Sequence, residues 1–373
     1  MKILIVCDDI STFGGIERVV ANLGNAFIKR GNAVTIYTFN QSHLEIPYPL
    51  DKDIVLVSDS YVDFNFNTPK TSLEKVTREV LRVFYKGIWF FKRLKRDIRF
   101  NHFVQKLQPD IVLCNEFASA NKILKAPSKY IDRFFRIIHG NMASCRLFSL
   151  KYFRHIILLT SKELQDYKAK YSKAKISVIP NFLPEIPEIN TDYTQKVVVS
   201  VGRMDYPKGF LRLVDIWNLV LQNPALKEWK LHIVGDGDLK PQIEAKIQEL
   251  NLQDSIVLKP FTKTIEKEYL STSIYVMASH FEGFGMVLAE AASFGLPLIA
   301  FDIKTGPSDI IENNISGYLI QDNDLKTYAK KLESLMLEDN LRKTFGQEAK
   351  RIVKEKFSQE VVMRQWEVLL NKI

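Results

Sequence analysis

The stretch IYVMASHFEGFGMVLAEAASFGLPLIAF, Ile274 to Phe301, decides the fold. It opens on "IYVMAS" and closes on "PLIAF", two short apolar runs that are continuous rather than alternating. Continuous runs of that length mark strands buried on both faces, as in a parallel sheet covered by helices. Between them, Met286 to Phe294 reads as a short helix stopped by Gly295 and Pro297. Strand, loop, helix and strand in that order make one βαβ unit.

The same alternation continues in both directions. Upstream lie "KILIVC", "AVTIYTF", "IVLC", "RIIHG", "HIILLTS" and "ISVIP". A second series holds "KVVVSVG", "KLHIVG", "SIVLKP", "IYVMAS", "PLIAF" and "GYLI". After Gly15, residues Ile16, Val19, Val20, Leu23 and Phe27 share one helical face, with Gly31 as the stop. After Pro207, which suits an early helical position, Phe210, Leu213, Val214 and Trp217 do the same up to Asn223-Pro224. Pro180 to Lys196 carries three prolines and little core-type clustering, so it reads as a linker. The expected fold is α/β: two Rossmann-like, doubly wound domains facing a central cleft. The boundaries are 1–182 for the first domain, 195–350 for the second, and 351–373 for a C-terminal helix packing back on the first.

Bulk properties agree with this plan. A chain of 373 residues exceeds what one core usually supports, which favours two domains. Cys7, Cys114 and Cys145 show neither metal-ligand spacing nor a disulfide framework, which suits a reducing compartment. The first apolar run is too short for a signal peptide and ends in Asp8-Asp9; no apolar run is long enough for a membrane span. A net charge of +9 attracts anions without choosing among nucleic acid, lipid and phosphorylated small molecules.

Doubly wound sheets bind ligands beyond the carboxyl ends of their strands, so strand-end residues are the candidates. In "VGRMDYPKGF", Arg203 and Lys208 sit between a strand and a helix, where an anion is favoured. The plain alternative is two solvated charges. Gly14 and Gly15 follow the first strand, where missing side chains admit a phosphate or simply allow a tight turn. The full dinucleotide fingerprint is absent, which disfavours a dehydrogenase. His139 follows "RII" at a strand end, positioned for a sugar hydroxyl or for a structural role. Gly235 and Gly237 end another strand, with Asp236 and Asp238 as candidate caps of the next helix; Ser161 is a further candidate cap.

Glu282 and Glu290 lie eight residues apart around Gly283, Phe284, Gly285 and Met286. Glu282 precedes the helix, Glu290 lies one turn inside, and the amides of 283–286 are helix N-terminal donors. Diphosphate on the amides, sugar at Glu282 and ribose at Glu290 is a sensible arrangement, since carboxylates accept from vicinal diols. No His or Asp joins the pair at ligand spacing, which disfavours a metal site. A glycosidase carboxylate pair leaves the cations at Arg203 and Lys208 unexplained.

Together "FGGIERVV", "SVGRMDYPKG", "HIVGDGDL", "HFEGFGMVLAEAASFGLPLIA" and "GPSDIIENNISGYLI" resemble retaining GT-B glycosyltransferases around glycosyltransferase family 4. The glutamate pair matches that group's E-x7-E signature. The resemblance covers nearly the whole chain and is densest over 196–320. It implies that Arg203 and Lys208 bind the donor diphosphate, Glu290 the ribose, and Glu282 with the amides of Gly283, Phe284, Gly285 and Met286 the sugar. It implies further that Gly14 and Gly15 approach the diphosphate, that Gly235 lines the donor site, and that His139 lies near the donor sugar. The implied catalytic set is His139, Arg203, Lys208 and Glu282. Neither a metal nor a cofactor is implied; the co-substrate is a UDP-sugar. The implied reaction moves a hexose or N-acetylhexosamine to a saccharide or lipid-linked glycan in cell-surface polysaccharide synthesis. The alternative is a non-catalytic nucleotide-sugar- or glycan-binding protein of the same fold.

Residues 78–106, "REVLRVFYKGIWFFKRLKRDIRFNHFVQK", interleave basic and aromatic side chains. Phe84, Ile88, Phe91, Leu94 and Ile98 recur at helical spacing among Lys92, Arg93, Lys95, Arg96 and Arg99. Such a helix suits the anionic inner face of the cytoplasmic membrane, or its stripe is ordinary core. No nucleic-acid-binding module is present.

Overall fold

The computed structural model describes residues 1–59, 94–121, 126, 128–143 and 148–372. Residues 78–93 of the basic stretch lie outside the described residues, as does Cys145. The chain forms two compact units. The first comprises Met1–Ile138, Arg146–Ile157 and Lys170–Ser177; the second comprises His139–Cys145, Leu158–Ala169 and Val178–Ile373.

The first half of the chain contributes β1 (Lys2–Asp9), β2 (Ala33–Asn40), β3 (Val55–Ser58), β4 (Ile111–Cys114), β5 (Phe134–Ile138), β6 (His155–Leu158) and β7 (Lys175–Val178). Its helices are α1 (Gly15–Lys29), α2 over 94–107, α3 (Phe117–Asn121) and α4 (Leu164–Lys170). These strands form one sheet in the order β3-β2-β1-β4-β5-β6-β7. The order reverses between β1 and β4, which pair in parallel from Ile3↔Ile111 to Val6↔Cys114. As the periodicity predicts, α1 buries Val20, Leu23 and Phe27, and Gly31 beyond its end takes φ 75°. Strand β3 is absent from the sequence expectation. It is a short edge strand whose Val55 is 58% exposed, so it lacks a buried apolar run.

The second half contributes β8 (Val197–Val201), β9 (Lys230–Val234), β10 (Ile256–Lys259), β11 (Ile274–Met277), β12 (Leu298–Asp302) and β13 (Gly317–Gln321). Its helices are α5 (Phe210–Val220), α6 (Lys240–Glu249), α7 (Ile265–Leu270), α8 (Met286–Ser293), α9 (Pro307–Ile310), α10 (Leu325–Leu337), α11 (Asp339–Phe357) and α12 (Gln359–Leu370). The sheet order is β10-β9-β8-β11-β12-β13, every neighbouring pair parallel. This is the doubly wound Rossmann order, and its reversal falls between β8 and β11. The core packs α5 and α10 side chains such as Trp217, Leu213, Leu332 and Tyr328 on Ile233, Val276 and Ile299 of the strands. Burying side chains of that size contributes about 1.5–3 kcal/mol each before chain entropy is counted.

Two local expectations are corrected. Pro207 does not begin α5: it lies in a 3-10 turn, Tyr206–Lys208, and α5 starts only after Gly209 at φ 65°. Nor does an aspartate cap α6, whose N-cap is Leu239 with no side-chain bond. Asp236 instead accepts the Phe261 amide at 2.8 Å. Ser161 offers its own amide to Asp309 Oδ1 at 2.9 Å. Among the described residues no helix is long and apolar enough to cross a membrane.

Candidate active site

The second sheet's reversal point is where the predicted residues gather. Arg203 and Lys208 follow β8, and Glu282 follows β11, its immediate neighbour. Lys208 Nζ donates to Glu282 Oε1 at 2.8 Å, with the two side chains 24% and 8% exposed. The buried Ser279 hydroxyl donates to the same oxygen at 2.7 Å. From the next crossover, Thr305 Oγ1 donates to the Glu282 carbonyl. A carboxylate so placed is satisfied by a cation and a hydroxyl, as a buried charge must be.

The backbone explains why Lys208 arrives there. Gly209 adopts a left-handed conformation, and a Cβ at that position would lie 1.9 Å from the Ala278 carbonyl oxygen. Only glycine lets the chain pass this close to the end of β11. The Lys208 stem then lies along Gly202, whose added Cβ would meet Lys208 Cδ at 3.2 Å. The Pro207 carbonyl accepts the His280 amide at 2.7 Å, tying the two strand-end loops together. Tyr206 stacks on His280, centroids 4.7 Å apart and planes 8° from parallel. Burial, and then the Arg212 charge, hold the His280 imidazole below its ordinary pKa.

Helix α8 begins beyond Gly285, whose φ is 90°. Leu288 and Ala289 both donate to the Gly285 carbonyl, so the amides ahead of them precede the helical ladder. Phe284 is 3% exposed and meets the Phe357 ring edge-on, so its backbone rather than its side chain is the part a ligand can reach. Glu290 is 6% exposed inside α8. The Tyr275 phenol is pushed well up by burial first, then by the charges of Glu282 and Glu290.

His139 follows β5 and is half-buried. Its backbone belongs to this region: a Cβ on Gly283 would lie 2.0 Å from the His139 carbonyl oxygen. Gly235, beyond β9, packs equally closely on the Gly202 carbonyl, at 2.1 Å from an added Cβ. Arg203 is different. Its side chain is 75% exposed and donates to Asp205 Oδ2 at 2.6 Å. Arg203 is therefore near Lys208 in sequence but engaged with its own loop.

Gly14 and Gly15 sit at the first sheet's reversal, beyond β1. An added Cβ at Gly14 would lie 2.1 Å from Glu17 Oε2, whereas Gly15 has nothing within 4 Å. Glu17 is buried and accepts from Thr12 at 2.9 Å; Glu116 accepts the Asp8 amide. Burial, then the Asp8 charge, push the Glu116 carboxyl up to about 7, with Glu17 adding to the rise. This surrounding is acidic, and of the two glycines only Gly15 is open.

Sequence reasoning missed Ser279, Thr305 and Arg212. Arg212 carried a signal: it is a cation inside the apolar α5 run, yet it is 7% exposed.

Two family models between them match residues 13–352. "Glycosyltransferase Family 4" matches residues 13–184, and "Glycosyl transferases group 1" matches 183–352. The chain is 29% identical to the amylovoran biosynthesis glycosyltransferase AmsD of Erwinia amylovora, over 99% of both chains. It is 27% identical to the lipopolysaccharide 1,6-galactosyltransferase of Escherichia coli K12, over 87% of this chain and 86% of that one. Its structure resembles that of S. aureus TarM, crystallised with fondaparinux, alpha-GlcNAc-glycerol and UDP, with a TM-score of 0.78 at 20% identity. That likeness covers 99% of each chain. At that identity the likeness shows the fold, which is GT-B.

Proposed function

The chain belongs to the glycosyltransferases in which a family 4 region precedes a group 1 region, and from that premise we propose a retaining, metal-independent sugar transfer. The donor in this reading is a UDP-linked hexose or N-acetylhexosamine. The acceptor is a saccharide or lipid-linked glycan of a bacterial cell-surface polysaccharide. Relatives named for amylovoran and lipopolysaccharide synthesis, and a fold neighbour crystallised with UDP, support the choice.

The observation that carries the proposal is the Lys208–Glu282 pair at the sheet reversal, directly ahead of the α8 N-terminus. Lys208 and the helix amides supply positive charge where a diphosphate leaving group would develop negative charge. Arg203 joins them by exchanging Asp205 for a phosphate oxygen. Glu282 accepts from the sugar hydroxyls, and Glu290 from the ribose. In a front-face substitution the acceptor oxygen bonds to the anomeric carbon as the bond to the diphosphate oxygen breaks. The acceptor proton passes to that departing oxygen, so no protein base is needed. The cations do the charge neutralisation a metal would otherwise supply.

Membrane contact belongs to the same proposal. The exposed face of α2 carries Leu94 and Ile98, 39% and 59% exposed, together with Lys95, Arg99 and Lys106. That mixture suits an anionic lipid surface on the cytoplasmic side. Flotation with phosphatidylglycerol vesicles, and none with phosphatidylcholine, is the expected result.

The central test is a panel of UDP-, GDP- and ADP-sugars, assayed for transfer and slow hydrolysis with and without EDTA. UDP-sugar turnover that survives EDTA supports the proposal. Loss in EDTA overturns metal independence. Binding without turnover makes the chain a nucleotide-sugar-binding protein, and neither binding nor turnover removes the reading altogether.

A further inference from the structure

Arg212 holds the end of β11 from below. Nε donates to the Ala278 carbonyl at 2.6 Å, and Nη2 donates to the Ser279 carbonyl. Nη1 donates to Asp322 Oδ1 at 2.8 Å and to Asn323 Oδ1 at 2.9 Å, in the turn between β13 and α10. The guanidinium carbon lies 4.1 Å from the centre of the Phe301 ring on β12. One planar cation thus ties α5, the end of β11, β12 and the β13–α10 turn together, four donations from a rigid fork. The group is 7% exposed, so these acceptors replace the water it gave up.

The two carbonyls it holds open the loop that carries Glu282. Ala278 and Ser279 are the first residues beyond β11, and the Ser279 side chain reaches the Glu282 carboxylate. On the other side, the Ala278 oxygen is the atom against which Gly209 packs, one residue after Lys208. Lys208 and Glu282 therefore reach each other across a junction whose shared point is Ala278, and Arg212 grips that point.

We propose that Arg212 is a positioning residue for the sugar end of the donor site: it fixes the height of the 278–282 loop, and hence where Glu282 and Lys208 meet. The proposal deepens the donor-site reading above and rests on it for the identity of the ligand. Arg212 touches no reacting atom. Lysine cannot replace it, because a single ammonium cannot reach two successive carbonyls and the Asp322–Asn323 turn in one plane. A small shift of a loop bearing a binding carboxylate costs about 10- to 100-fold in rate when the transition state needs that group in place.

Arg212→Lys is the variant, with Asn323→Gly as a milder second that loosens only the outer partner, since Asn323 sits at φ 66°, a conformation glycine adopts without strain. Three measurements are made on each full chain: amide hydrogen exchange by mass spectrometry, affinity for UDP alone, and kcat and KM with the UDP-sugar that the wild type turns over. Exchange in peptides covering 279–285 is expected to accelerate about 10-fold or more in Arg212→Lys, with β8, β9 and α6 unchanged. UDP affinity should stay within about twofold, while kcat with the UDP-sugar falls about 10- to 100-fold. Asn323→Gly should show the same pattern at smaller amplitude.

Uniform acceleration across the second unit, or unchanged exchange at 279–285, overturns the proposal. So does a kcat within twofold of wild type in a variant whose 279–285 loop has loosened. Should Arg212→Lys fail to fold, Asn323→Gly decides on the same criteria. Should the wild type bind no nucleotide-sugar, the donor reading fails by itself, and the exchange arm alone decides whether Arg212 holds this loop.

Discussion

Removing Lys208 separates two effects that the same side chain carries. In Lys208→Ala, Glu282 loses the ammonium 2.8 Å away and keeps only the Ser279 hydroxyl. Breaking a fully buried ion pair costs about 3–5 kcal/mol, because the surviving charge stays desolvated. Here the Lys208 side chain is 24% exposed, so water entering its place recovers part of that cost. The expected loss is about 2 kcal/mol, hence a Tm roughly 4–8 °C lower for a unit of this size. Glu282→Gln strands the ammonium instead, but Lys208 is the more exposed partner and the new amide still offers it an oxygen, so this change should cost less. In the double variant the penalties should not add, with a coupling of about 1–2 kcal/mol. Differential scanning calorimetry of the four proteins measures the cycle. Donor turnover, measured on the same samples, should fall about 100- to 1000-fold in Lys208→Ala, the usual loss of one preorganised stabiliser of leaving-group charge. A Lys208→Ala protein melting with the wild type, with zero coupling, would show that the pair does not form in solution. Wild-type turnover in that protein would remove Lys208 from the donor site.

Three further substitutions probe the backbone and the acidic end of β1. Gly283→Ala places a methyl 2.0 Å from the His139 carbonyl oxygen, so it should cost about 1–3 kcal/mol in calorimetry and lower turnover as the Glu282 loop shifts. Gly15→Ala meets nothing within 4 Å at the start of α1 and should gain up to about 1 kcal/mol; a fall in turnover despite that gain would place this backbone against the donor. Glu116→Gln tests a linkage. The Glu116 pKa is raised to about 7 in the fold, so the native state holds a proton that the unfolded chain has released, and stability falls as pH rises from about 4.5 to 7. The variant should lose that slope and gain about 1–3 kcal/mol over wild type by pH 8, read from urea midpoints at pH 5, 6, 7 and 8. Identical midpoint profiles would show that Glu116 is not perturbed.

Much of this was legible because it rests on period and punctuation. All six strands of the second sheet fall on the short, mostly apolar runs read from the sequence, and Gly285 and Gly295 bracket α8 where the sequence places them. The edge strand β3 was not, since its half-exposed residues carry no burial signature. At the candidate site, strand-end position brought Lys208 and Glu282 together. Sequence could not say that Arg203 turns to Asp205, that the Phe284 ring is buried, or that Gly283 is small because a carbonyl leans on it. Those facts depend on which loops cross, and that follows from strand order. Arg212 was hidden for a related reason: a buried arginine looks like a solvated one until its acceptors, about 66 to 111 residues away in sequence, are brought to it.

The second unit takes residues 139–145 and 158–169 from the first half of the chain, ahead of the proline-rich linker. Lys162 gives this a concrete cost, since its ammonium bonds both Asp302, at 2.7 Å, and the Ile303 carbonyl, at 3.0 Å. A gene cut at the linker would therefore yield a carboxyl-terminal fragment with that acid and that carbonyl uncovered and with Gly283 facing empty space. Anyone exchanging halves between relatives to graft a new specificity inherits the same difficulty. The seam in sequence is not the seam in space: a crossover before His139 carries the second unit whole but takes residues 146–157 and 170–177 of the first along with it.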